Sequence, residues 1–93
     1  MTAQSLRSPA QDPRDPISYD LPPFRFDSHL IQVRLTVRWV EGLWRGRLGF
    51  LEEGAGLERE TAEIFRGESA QELWQSVSHL REHHIRDLYR SLI

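Results

Sequence analysis

The chain has 93 residues, no cysteine and a formal net charge of −2. This excludes disulfides and thiolate metal sites, sets one domain as the prior, and argues against indiscriminate polyanion binding. No apolar run approaches the roughly 20 residues of a membrane span. The opening MTAQSLRSPAQDPRDP holds no apolar stretch of a secretory leader, so a cytoplasmic location is expected.

All five prolines lie between Pro9 and Pro23. Residues 1–23 are also rich in Ser, Asp and Gln and show no apolar period. Such a segment buries too little surface to offset the entropy of ordering. It is expected to be a disordered, Pro-rich arm, leaving residues 24–93 as a single domain. A core built from so few residues is marginal alone and gains from a partner.

Residues 30–40, LIQVRLTVRWV, alternate as a half-buried strand. Ile31, Val33, Leu35, Val37 and Trp39 share one face; Gln32, Arg34, Thr36 and Arg38 share the other. Glu41-Gly42 supplies a tight turn, and LWRGRLGFLE, residues 43–52, returns. Folding on that turn sets Trp39 opposite Trp44, Val37 opposite Gly46, Leu35 opposite Leu48 and Val33 opposite Phe50. Every pair falls on the apolar face, so the register is well specified. Gly46 and Gly49 leave room for close packing or a bend.

After the loop EGAGL, residues 58–66 (ERETAEIFR) read as a third strand. Ala62 and Ile64 lie on one face, with Thr61, Glu63 and Phe65 on the other. Ser69 followed by Glu72 is a capping box that opens a helix from about Ala70 to Leu92. Its apolar stripe takes in Ala70, Leu73, Trp74, Val77, Leu80, His84, Ile85, Leu88 and Leu92. Arg81 falls inside the stripe and has to extend its charge out to water.

The expected fold is α+β: a three-stranded antiparallel meander packed on one long C-terminal helix, β-β-β-α. Trp39, Trp44, Trp74, Phe50, Leu35 and Leu48 are the expected centre, each large side chain contributing roughly 1.5–3 kcal/mol when fully buried.

All twelve basic residues are arginine, a bias that codon composition explains without special chemistry. Their distribution is uneven. Residues 24–51 hold five Arg against Asp27 and Glu41, whereas residues 52–72 hold seven Glu against Arg59 and Arg66. The outward face of the hairpin carries Arg34, Arg38, Arg45 and Arg47, with Arg38 directly opposite Arg45. Opposed like charges destabilise a sheet, so compensation is required. One reading is an anion- or nucleic-acid-binding surface. The other, favoured by the acidic total, is pairing with the glutamates of residues 52–72, Glu63 foremost. No aromatic platform interleaves these arginines, which weakens a single-strand-binding reading.

His79, His83 and Asp87 fall at i, i+4 and i+8, a row that zinc accepts on one helix face. A solvated helix face is the favoured explanation, and no H-E-x-x-H motif is present. The sequence therefore implies no metal or other cofactor. His84 is expected at the edge of the core. A nucleophile elbow, a phosphate loop and a cysteine nucleophile are all missing. Glu52-Glu53 and Glu58/Glu60 read as loop charges rather than an acid/base pair. The chain is not expected to be an enzyme.

The stretch GESAQELWQSVSHL, Gly67 to Leu80, follows Ala62-Glu63-Ile64-Phe65 and opens with Gly-x-Ser-x-x-Glu. With the hairpin before it, this layout resembles the HicB-like antitoxin domain, a truncated RNase H-like β-β-β-α unit, over residues 31–80. The family's Pro-Asp-Leu-Pro-Gly segment is replaced here by FLEEGAGLERE, and its C-terminal DNA-binding module is missing. The resemblance implies a non-catalytic interaction domain. A double-stranded-RNA-binding domain also ends in β-β-β-α, but its last helix opens with a basic cluster and this one opens with SAQE. The expected function is a protein-interaction or regulatory domain that pairs with itself as a homodimer or with another protein. A nucleic-acid-binding module using the arginine face is the alternative. Phe65 and Leu51, read as uncovered on the sheet's second face, motivate the dimer.

Overall fold

The computed structural model describes residues 15–93. The architecture is α+β, an antiparallel meander followed by two helices. The strands are β1 (Ile17–Phe26), β2 (His29–Val40), β3 (Leu43–Glu52), β4 (Glu58–Glu60) and β5 (Phe65–Gly67). The helices are α1 (Ala70–Ser78) and α2 (Glu82–Arg90). The order across the sheet is β1-β2-β3, and β4 and β5 both pair with β3 on its far edge.

The β2–β3 hairpin has the register expected from its sequence, from Val33 opposite Phe50 to Trp39 opposite Trp44. Both turn residues, Glu41 and Gly42, have positive φ (51° and 85°). That matches the twist of the strands they join.

The arm boundary expected at residue 23 is corrected. Ile17–Pro23 belong to β1, while residues 1–14 lie outside the described region. Tyr19 and Leu21 pair with Leu35 and Val33, then the register slips between Leu21 and Phe24. Pro22 and Pro23 sit in that bulge on an edge strand, where a missing N–H breaks no ladder. The bulge also resets the parity of the strand, so Leu21 and Phe24 both face the core, 6% and 4% exposed. The alternation was hidden because the prolines fall at the reset.

The single third strand is corrected to β4 and β5. Thr61 separates them. Its hydroxyl accepts from the Leu48 N–H at 3.0 Å and donates to the Ala62 carbonyl at 2.7 Å. The side chain thus takes a ladder bond, and a tight turn follows, with the Ile64 N–H on the Ala62 carbonyl at 2.8 Å. Phe65 re-enters opposite Gly46 on the core-facing side. It is therefore not on the open face, where only Leu51 of the two expected residues remains, 39% exposed.

The single long helix is likewise corrected. Ser69 caps α1 by accepting from the Glu72 N–H at 3.0 Å. The Glu72 carboxylate reaches back to the Glu68 N–H, one residue beyond the usual box. Arg81 is extended (φ −81°, ψ 158°) and separates the two helices. The buried positions are Leu73, Val77, Ile85 and Tyr89. In a straight helix an i+4 row drifts about 40° per step, so about 160° separates Leu73 from Tyr89. One helix cannot aim both at the sheet. The break at Arg81 re-phases the second half and takes the cation out of the stripe.

After that break Tyr89, outside the expected stripe, is buried and makes ring contacts with Phe24, Phe26 and Phe50. His84, expected at the core edge, is exposed. Leu35, Leu48, Phe50, Leu73 and Val77 are fully buried. Trp39 is 38% exposed, and Trp44 and Trp74 are half-buried. The tryptophans are thus the rim, not the centre. Gly46 is required where α1 approaches: a Cβ there would lie 3.2 Å from Leu35 and Val37 and 3.3 Å from Leu73. No helix among the described residues is long and apolar enough to cross a membrane.

Candidate functional site

Two surfaces carry chemistry: the open face of the sheet and a groove beside β1. Strand alternation aims Arg34, Arg38, Arg45 and Arg47 away from the helices. Three of these four are ion-paired. Arg34 lies 3.3 Å from Asp20 of β1. Arg38 makes a two-pronged pair with Glu63, through Nε and, at 2.9 Å, through a terminal nitrogen. Arg47 reaches Glu60 at 3.1 Å and Glu63 at 3.7 Å.

The turn after Thr61 is what brings Glu63 over this face. The Arg38 hydrogen bond holds the Glu63 carboxyl below the usual carboxylate range, against partial burial and with help from the Arg38, Arg47 and Arg45 charges. The same hydrogen bond and charge raise the pKa of Arg38. Glu63 is thus the compensating carboxylate that the opposed arginines require.

Arg45 differs. Its Nε is buried and, among the described residues, has no hydrogen-bond partner. It faces Arg38 on one side and Arg66 of β5 on the other. Arg66 escapes a sequence reading because its partner depends on where β5 re-enters the sheet after Thr61.

The candidate row of His79, His83 and Asp87 is not assembled. His79 follows the last residue of α1, with its Nδ1 2.6 Å from the Gln75 carbonyl oxygen. His83 and Asp87 belong to α2, beyond the break at Arg81. Among the described residues no group of three or more potential ligands is placed to hold a metal ion.

The second surface is an apolar groove of about 460 Å³, lined chiefly by Leu21, Pro22, Pro23, Trp74, Leu80 and Ile85. Ser78 and Glu82 form its polar margin. It lies between the β1 bulge and the stretch where the chain leaves α1 for α2. Trp74 is held by stacking on Tyr19, with ring centroids 5.0 Å apart. Arg86 ties α2 to β1: it lies 5.2 Å from the Phe24 ring centroid, donates to the Arg25 carbonyl at 2.7 Å and pairs with Glu82. The groove is not legible in the sequence, because it depends on the bulge and on the helix break.

Comparison with family models, with curated proteins and with solved structures found no match. The functional reading therefore rests on these two surfaces.

Proposed function

We propose that the chain is a small non-catalytic interaction domain that docks a protein segment in the groove between the β1 bulge and the helix junction. The observation that carries this reading is the groove itself, apolar within, polar at its margin and walled by a Trp74 ring that stacks on Tyr19. Its volume falls in the range of ligand-sized clefts, about 300–1,000 Å³. Trp is among the residue types enriched at interface anchors, and hydrophobic grooves dock segments through a few apolar anchor side chains. Glu82 sits at the margin with its Oε2 paired to Arg86 and its side chain 64% exposed, so a second cation can share the carboxylate. The matching occupant is a segment that inserts one bulky apolar side chain beside Trp74 and sets a basic residue against Glu82.

The nucleic-acid alternative loses support from the pairing of Arg34, Arg38 and Arg47 with carboxylates of the same chain.

A photoreactive residue in place of Ser78, in the full chain and in its own cells, tests the proposal. The expected product is an adduct to one protein, mapped to an apolar residue next to Lys or Arg. Glu82→Arg should abolish it, and reversing the partner's basic residue should restore it. An adduct to a second copy of the chain would make the groove a dimer interface instead. No adduct, or one indifferent to Glu82→Arg, would overturn the reading.

A further inference from the structure

Arg38, Arg45 and Arg66 form one row across β2, β3 and β5, each directly opposite the next. Side chains at directly opposed positions share a face, with Cβ atoms about 5 Å apart. Three arginine side chains therefore rise from one strip of the sheet.

The carboxylates that pair with this row do not balance it. Arg38, Arg45, Arg47 and Arg66 are four cations, and Glu60 and Glu63 are the two anions paired among them, which leaves two cations without a paired carboxylate among the described residues. The excess is localised. Glu63 engages Arg38 and approaches Arg47, and Glu60 engages Arg47. Among the described residues neither Arg45 nor Arg66 has an ion-pair partner. Arg45 is half-buried with its Nε unbonded, and Arg66 is exposed.

We propose that the Arg45–Arg66 pair, flanked by Arg38, is a binding site for a dianionic phosphate group. The charge count selects the class. A phosphate monoester or inorganic phosphate carries about −1.5 to −2 at neutral pH, whereas one carboxylate or one phosphodiester supplies a single charge. Guanidinium forks match phosphate oxygens in pairs, and two forks on adjacent strands approach one phosphate from two sides. Glu63 keeps Arg38 in place and repels longer polyanions from the row's end. The site is on the opposite side of the sheet from the groove and stands independently of it.

Titration calorimetry and thermal unfolding of the full chain with inorganic phosphate, at ionic strength matched with chloride, test this. The expected result is saturable one-to-one binding and a rise in melting temperature that chloride does not give. Arg45→Gln and Arg66→Gln should each weaken binding at least tenfold. Arg34→Gln, on the same face but paired with Asp20, should leave it unchanged.

Arg66→Gln also separates binding from structure. Removing a cation from a like-charged row should raise the melting temperature without phosphate while abolishing the phosphate-induced rise. Phosphoserine binding more tightly than phosphate would assign the group to a modified protein chain; equal binding would assign it to a small free phosphate. Equal effects of chloride, or equal losses from Arg34→Gln and Arg45→Gln, would overturn the site. Binding of an oligonucleotide without terminal phosphate, where phosphate fails, would overturn it in favour of a nucleic-acid face.

Discussion

The two faces of β2 are built by different physics from alternate letters of one segment. Inward, Ile31, Val33, Leu35 and Val37 are 0–3% exposed. Outward, Gln32, Arg34 and Arg38 are exposed and Thr36 is half-buried. The inner face is held by burial, which is non-directional and large. The outer face is held by ion pairs in water, which contribute about 0–1 kcal/mol each. Stability therefore resides on one side of the sheet, and the other side is left to be shaped by charge. That difference can be broken from either side.

The largest expected effect is on the inner face. Leu35→Ala should cost about 2–5 kcal/mol in urea unfolding, because Leu35 is fully enclosed between Gly46, Leu48 and α1. Arg34→Ala, one residue away, should stay within about 0.5 kcal/mol. Similar costs for both would mean that the faces are not energetically distinct.

Thr61 lies at the boundary between them. It is the one buried polar side chain among the described residues and satisfies the Leu48 N–H. Thr61→Val keeps the shape and orphans that donor, so a loss of about 1–3 kcal/mol is expected. A neutral result would show that β4 and β5 can merge into the continuous strand their sequence resembles.

The two hairpins sharpen the comparison further, and they show what the sequence discloses. Glu41-Gly42 was legible because Gly is the residue that tolerates positive φ and strict alternation runs on both sides of it. Asp27-Ser28 makes an equivalent two-residue turn at φ 51° and 70° without any glycine. Its first strand hides behind Pro22-Pro23. The β2–β3 register, the arginine face and Glu63 as its counter-charge were readable, since period-2 patterns and charge sums are local. The helix break, Tyr89, Arg66 and the groove were not. Each depends on where an element restarts, which is set by tertiary packing. The arginine in the apolar stripe was the single local hint of the break.

Gly42→Ala should cost about 1 kcal/mol, since alanine is strained at φ 85°. Ser28→Gly should stabilise by several tenths of a kcal/mol, about 0.5, by relieving the same strain. Equal signs for the two would mean that the first turn is not held in the left-handed region in solution.

The smallest effect is on the outer face, and its signature is pH rather than size. The Glu63 carboxyl titrates below its unfolded value because Arg38 donates to it. A lowered carboxylate pKa contributes stability that is fully present above the unfolded value, about 4.3, and is lost as pH falls through the folded value. Glu63→Gln keeps the size of the side chain and removes the charge. The stability gap between the two proteins should be widest near neutral pH and close progressively below about pH 4. It should also narrow in 1 M salt, where screening acts over about 3 Å. A gap that persists unchanged into acid would mean that Glu63 acts through packing, and that Arg38 and Arg45 find their compensation elsewhere. A gap that opens with the opposite sign would mean that the cationic row is stable without its carboxylate. In that case the excess charge near Arg45 and Arg66 would no longer call for an anion.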